Sequence, residues 1–139
     1  MLALGRKHAA LETRCDLEGT MSTLVAEPVY EFHPLGLRMA GNHQVRRYYT
    51  QLFQHFIPST RDFELIAEWV NETSVAQEYR VALEVDGALE QHHLIGILYA
   101  EGELLGGERV FASERVVRLM VGDLFDELTP VHLAGNQRP

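Results

Sequence analysis

From Asp62 to Phe111 the chain repeats one pattern: a long run of alternating residues, then a short turn that contains glycine. "DFELIAEWV" sets Phe63, Leu65, Ala67 and Trp69 against Glu64, Ile66 and Glu68. "SVAQEYRVALEV" sets Val75, Gln77, Tyr79, Val81, Leu83 and Val85 against Glu78, Arg80 and Glu84. Asp86-Gly87 and Glu101-Gly102 are turn signals, and each leads into another run, "EQHHLIGILYAE" and "ELLGGERVFAS". A period of two broken by such turns predicts an antiparallel meander. Successive side chains point to opposite faces, so an apolar set on each strand predicts one buried face for the whole sheet. Something else in the chain has to cover that face.

The first half supplies the cover. Residues 3–14 read as a helix with Leu4, Lys7, His8, Leu11 and Cys15 on one side. Asp16 is placed to cap a second helix, "LEGTMSTLV", whose buried side is Met21, Leu24 and Val25, and Pro28 is expected to end it. "VYEFH" reads as a strand with Val29, Glu31 and His33 on one face and Tyr30 and Phe32 on the other. Pro34 and Gly36 suit a turn, and "LRMA" is the return strand. A third helix is expected from Asn42, an N-cap type, with Val45, Tyr48, Tyr49, Leu52, Phe53 and Phe56 at helical spacing and Pro58 as its stop. Residues 114–128 predict a C-terminal helix interrupted at Gly122, and the polar tail 134–139 is expected to fray. The sum is one α+β domain over residues 1–139: about three N-terminal helices packed on the concave side of a curved antiparallel sheet, with a short helix at the end.

Several function classes are disfavoured at this level. A net charge of -8 is the wrong sign for a nucleic-acid binder and fits a neutral or cationic small partner. No 18-residue apolar window exists, so no membrane partner is expected. One cysteine, Cys15, allows no intrachain disulfide, and a cytoplasmic location is the default expectation. There is no Walker loop, Rossmann glycine pattern, CxxC or HExxH, and His43 and His55 stand too far apart on one helix to share a metal. Neither a metal nor a cofactor is expected.

Taken in order, the short helix opened by Asp16, "HPLG", the "G-x-x-x-VRRYY" entry to the "LFQHF" helix, the long strands, and "GERVF" before "VGDLFDEL" resemble the SnoaL-like branch of the nuclear transport factor 2-like superfamily. The match spans nearly the whole chain. The resemblance implies a cystatin-like cone barrel, a bent sheet wrapped around a helix with a pocket at the wide end. It also implies a homodimer through the outer sheet face. Its activities include polyketide cyclase, isomerase, dehydratase and epoxide hydrolase chemistry, without cofactor, on mainly apolar organic molecules. Some members have no known chemistry, so a non-catalytic ligand-binding or dimerisation module is the alternative. The family pattern commonly carries an Asp where this chain has Ser113.

Candidate residues follow from their chemistry. His33, on a strand expected to line the cone, suits proton transfer at neutral pH. His92 and His93 are adjacent on one strand and face opposite ways, so only one can line a cavity; both companion sets are apolar, and periodicity does not choose between them. His93 is taken as the candidate. Glu108 and Arg109 are likewise opposed, and a carboxyl deep in an apolar pocket would have its pKa raised by desolvation. His33, His93 and Glu108 are thus the catalytic candidates. Tyr30, Tyr49, Trp69, Tyr79 and Tyr99 are the candidate ligand contacts, since an aromatic pocket with a few hydroxyls suits a polycyclic or terpenoid ligand.

Overall fold

The computed structural model describes residues 1–131, so the tail expected to fray lies outside the described residues. Helix α1, Leu2–Thr13, buries Gly5, His8 and Leu11. It lies so close to the sheet that a methyl group on Gly5 would meet Val75. Cys15 sits exposed in the turn that follows, rather than on a helix face. Asp16 caps α2, Leu17–Ser22, by accepting from the Gly19 N–H at 2.8 Å.

The second helix ends earlier than its apolar residues suggest. Strand β1 already starts at Leu24 and runs to His33, so Pro28 lies inside a strand instead of terminating a helix. It falls at the break in the β1–β6 ladder between Leu24 and Val29. A residue without an N–H fits there because no ladder bond is lost. Strand β2, Leu37–Ala40, returns alongside β1.

Helix α3 spans Asn42–Gln51, and its N-cap is Gly41 rather than Asn42. It continues as a π-helical turn, Leu52–Phe56, and a short α4, Ile57–Ser59, with Pro58 in the first turn where a missing N–H is harmless. The expected stripe is buried: Val45, Tyr48, Tyr49, Leu52 and Phe56 point into the core.

The meander follows as β3 (Thr60–Val70), β4 (Ser74–Val85), β5 (Ala88–Glu101) and β6 (Leu104–Phe111). Helix α5, Glu114–Val121, is capped by Ser113, whose Oγ accepts from the Val116 N–H at 3.2 Å. A 3-10 segment, Gly122–Glu127, and a short β7, Thr129–Pro130, close the described chain. The sheet runs β3-β4-β5-β6-β1-β2-β7. Every pairing is antiparallel except β1 with β6, which run parallel.

Alternation holds on β4 and β5 but breaks on β6, at Gly106, and on β3. The β3–β4 register shifts between Leu65 and Ala67, so Ile66 is the extra residue of a bulge. Before it, Phe63 and Leu65 pair with Val81 and Tyr79 of the concave face; after it, Ala67 and Trp69 pair with Glu78 and Ala76 of the outer face. One inserted residue inverts every later side chain. The core lies between the concave face and the helices, and Tyr30, Phe32, Met39 and Leu105 are almost wholly enclosed there. No helix among the described residues is long and apolar enough to cross a membrane.

Candidate functional site

The concave side is not filled solid. A cavity of about 470 Å3 remains between the C-terminal half of α1, the π-helical turn and the sheet. Its walls are mainly apolar: Leu52, Phe56, Val81, Leu94 and Met120, with the rings of Tyr48, Phe63 and Tyr79. Phe63 is 57% exposed and stacks on Tyr79 with ring centres 4.7 Å apart, so this pair forms part of the rim. Two carboxyls border the space, Glu12 from α1 and Glu108 from β6.

Glu108 reaches the cavity through plain strand geometry. It shares the concave face with Val110 and Ala112, pairs with Leu98 on β5 and stands beside Tyr30 of β1. Its carboxyl lies over Gly96 of β5, where a methyl group would overlap Oε1. Glycine leaves the room that the carboxyl occupies. Protein surrounds this carboxyl except where it borders the cavity, and it accepts no hydrogen bond from a described residue. Burial pushes its pKa well above the ordinary 4.5, and the negative charge of Glu12 pushes the same way.

Glu12 is held differently. Tyr49 donates its O–H to Glu12 Oε1 at 2.7 Å, and His8 Nε2 stands 2.8 Å from the same oxygen. His8 Nε2 also lies 2.9 Å from the Tyr49 hydroxyl, and Nδ1 lies 2.6 Å from Thr23 Oγ1. Tyr30 joins through a 2.6 Å contact between the two tyrosine hydroxyls. His8, Thr23, Tyr30 and Tyr49 are all fully buried, so this is an interior polar network with its members partnered, the arrangement that makes such burial tolerable.

The tyrosines around the cavity hold their protons firmly. Burial raises the pKa of Tyr30, Tyr48 and Tyr49 well above 10, with the charges of Glu108 and Glu12 adding to it. Tyr79 shifts upward for the same first reason, then through Glu108. All four therefore remain hydrogen-bond donors at neutral pH. The Tyr79 hydroxyl donates to Gln77, which donates to Glu68. The Tyr48 hydroxyl makes no hydrogen bond to a described residue, although Tyr48 lines the cavity.

Of the three catalytic candidates, only Glu108 borders the cavity. His33 shares the outer face of β1 with Glu31, whose Oε1 lies 2.8 Å from its Nε2, and it stacks on Phe111. Tyr30 and Phe32 took the inner face because they are the larger apolar side chains, which leaves His33 outside. His93 is also outside, 59% exposed and 3.6 Å from Glu78. Its neighbour His92 points to the concave side but is engaged by Glu90 at 2.8 Å, away from the cavity wall. Glu90 is held down to about 2, first by Arg115 and then by His92.

The aromatic candidates divide as well. Tyr79 lines the cavity, and Tyr30 and Tyr49 lie behind its wall in the polar network. Trp69 faces outward because of the Ile66 bulge and is 54% exposed. Tyr99 lies on the outer face, where its hydroxyl donates to the Val29 carbonyl and Arg109 sits over its ring. Sequence reading missed Glu12 and His8. The available signal was their spacing of four on one helix, which brings the side chains together.

A second, more open depression lies between α3 and the 3-10 segment, lined by His43, Arg46 and Arg47 among others. Its guanidinium groups are already engaged, Arg46 by Glu18 and Arg47 by both oxygens of Glu127. Among the described residues, no three His, Cys, Asp or Glu side chains come together as a metal-binding cluster.

No protein-family model and no curated protein matches the chain. Solved structures do. A protein with a ketosteroid isomerase-like fold from Catenulispora acidiphila, in complex with trimethylamine, superposes with a TM-score of 0.62 at 15% identity, over 98% of this chain and 97% of that one. A nuclear transport factor 2-like protein from Cytophaga hutchinsonii gives 0.62 at 10% identity, over 82% and 90%. An LEH-like epoxide hydrolase from M. tuberculosis gives 0.63 at 13% identity, over 85% and 84%. Helices seated in a curved sheet, a hollow beneath them and these likenesses together make this the nuclear transport factor 2-like cone fold.

Proposed function

We propose that the chain is a cofactor-free acid–base enzyme acting on a mainly apolar organic molecule, with Glu108 as the group that carries the proton. The carrying observation is the state of that carboxyl: enclosed, bordering an apolar hollow, without a hydrogen bond, and shifted upward by burial. Burial favours the protonated form of such an acid, which can donate to an oxygen of a bound ligand. The Tyr48 hydroxyl is a second donor on the same wall. The reaction class is the one the SnoaL-like resemblance implies: cyclisation, isomerisation, or addition of water to an epoxide. One structure of the same fold is an epoxide hydrolase-like enzyme, which agrees with that class. The working unit in this reading is a homodimer joined through the outer sheet face, where Trp69, Phe111 and Ile66 leave large apolar side chains exposed.

The test is turnover of a small panel, a cyclic ketone, an epoxide and a 1,3-diketone, by the parent protein and by Glu108→Gln. The reading expects conversion of at least one compound and its loss by about 100-fold or more in the variant, with Tm not lowered. Binding of these compounds by the parent protein without conversion would favour a ligand-binding module of the same fold.

A further inference from the structure

We propose that Glu12, positioned by His8 and Tyr49, is the proton acceptor that works opposite Glu108, and that the substrate is an uncharged, mainly apolar molecule bearing a carbonyl with a C–H beside it. This rests on the reading of Glu108 above and names its partner and its substrate class.

The hydrogen count supports the assignment. Thr23 donates its hydroxyl hydrogen to the Thr20 carbonyl at 2.6 Å, so toward His8 it can only accept, and His8 Nδ1 carries the hydrogen between them. Tyr49 gives its hydrogen to Glu12, so Tyr30 must donate to Tyr49. His8 Nε2 and Glu12 Oε1, 2.8 Å apart, need one proton between them to be attractive. Every contact thus fastens Oε1. Oε2 makes no hydrogen bond to a described residue, and Glu12 borders the cavity. The carboxyl is gripped by one oxygen and open at the other, as a base of fixed direction must be.

The two carboxyls then have separate tasks. Glu12 Oε2 takes the hydrogen from the carbon next to the carbonyl as a proton. The C–H electron pair becomes a C=C bond, and the carbonyl oxygen receives the proton of Glu108, which leaves an enol and a Glu108 carboxylate. Reversal returns one proton to the carbon and the other to Glu108; where a second C=C bond adjoins the enol, delivery by Glu12 to its far carbon shifts that bond and gives isomerisation instead. No oxidant or co-reactant is consumed. The cavity offers Glu108 and Tyr48 to the carbonyl oxygen, and beside Glu12, Thr13, Thr60 and Tyr79 the rest of its wall is apolar. Among the described residues, no lysine or arginine lines it to pair with a ligand carboxylate.

The experiment uses the full chain and 2-tetralone, an apolar bicyclic ketone, in D2O, with hydrogen–deuterium exchange beside the carbonyl followed by NMR. The parent protein should accelerate exchange. Glu12→Gln and Glu108→Gln should each slow it by about 100-fold while saturation-transfer NMR still detects binding. Exchange at the parent rate in Glu12→Gln, with Glu108→Gln inactive, would overturn the role of Glu12 and leave that of Glu108 standing. No acceleration by the parent protein would overturn both. Should Glu12→Gln lose its fold, Glu12→Asp keeps the charge but withdraws it from the cavity, and parent-like exchange by this variant would likewise reject the assignment. His8→Gln tests positioning: it should displace the pH profile of exchange, whereas a purely structural His8 would lower Tm and leave the profile in place.

Discussion

Glu12 and Glu108 face one hollow from opposite ends of the chain, and only Glu12 is hydrogen-bonded. Two carboxyls in a shared apolar space resist losing both protons. The network around His8 fixes which of them is the better place for negative charge: Glu12 has donors and Glu108 has none. The asymmetry comes from packing α1 against a strand that carries its acid on the inner face.

The upward shift of Glu108 has a consequence for stability. Its folded pKa is above the unfolded value of 4.5, so its contribution is intact below that value and is lost as pH rises through the folded pKa. Glu108→Gln removes the titration. The variant should therefore melt higher than the parent at neutral pH, and the gain should fade as pH approaches 4.5. Thermal melts of both proteins from pH 4 to 8 would check the sign.

Gly96→Ala should damage the site without touching a reactive group. The added methyl would overlap Glu108 Oε1, so the carboxyl must swing away. The atom met is the far end of a flexible side chain beside the cavity, so the swing is cheap. Urea denaturation should show little loss, while proton exchange should fall.

Tyr49→Phe removes the hydroxyl that donates to Glu12, accepts from Tyr30 and touches His8. Buried partners left unpaired cost about 1–3 kcal/mol. The expected result is a destabilised protein, measurable by denaturant titration, with Glu12 no longer held in place.

Ser113 can be separated from the chemistry. Its hydroxyl caps α5, a duty an aspartate performs equally well. Ser113→Ala should lose about 0.5–2 kcal/mol by denaturant titration, while Ser113→Asp should keep parental stability. Restored stability with unaltered turnover in Ser113→Asp would assign this position to capping.

In the proposed dimer, association through the outer face depends on apolar contact. Trp69→Glu places a charge on the edge strand of that surface, outside the cavity lining. In sedimentation experiments it should shift a dimer toward monomer while the Tm of the isolated subunit changes little.

Much of the fold could be read from the chain because period-two runs, glycine turns and the α3 stripe each obey one local rule. Glu108 was legible for the same reason: its face follows from Val110 and Ala112. Three features were not. The Ile66 bulge leaves no mark in an alternating sequence, so Trp69 was assigned to the pocket side with Phe63. His33 looked inward because strand alternation gives two faces without saying which is concave, and only the packing of Tyr30 and Phe32 decides that. Glu12 and His8 lay on a helix whose apolar stripe is weak, and their meeting with Tyr49 depends on tertiary packing.

The parallel pairing of β1 with β6 sets Tyr30 beside Glu108. No hairpin can make that pair, and the two strands meet only in a slow non-local step. Until they do, Glu108 stands in water and titrates like any carboxyl of an open chain. Its acid strength is therefore a gauge of whether the cone has shut: a fluctuation that peels β6 from β1 would turn the buried acid into an ordinary anion and silence the site before the protein as a whole unfolds.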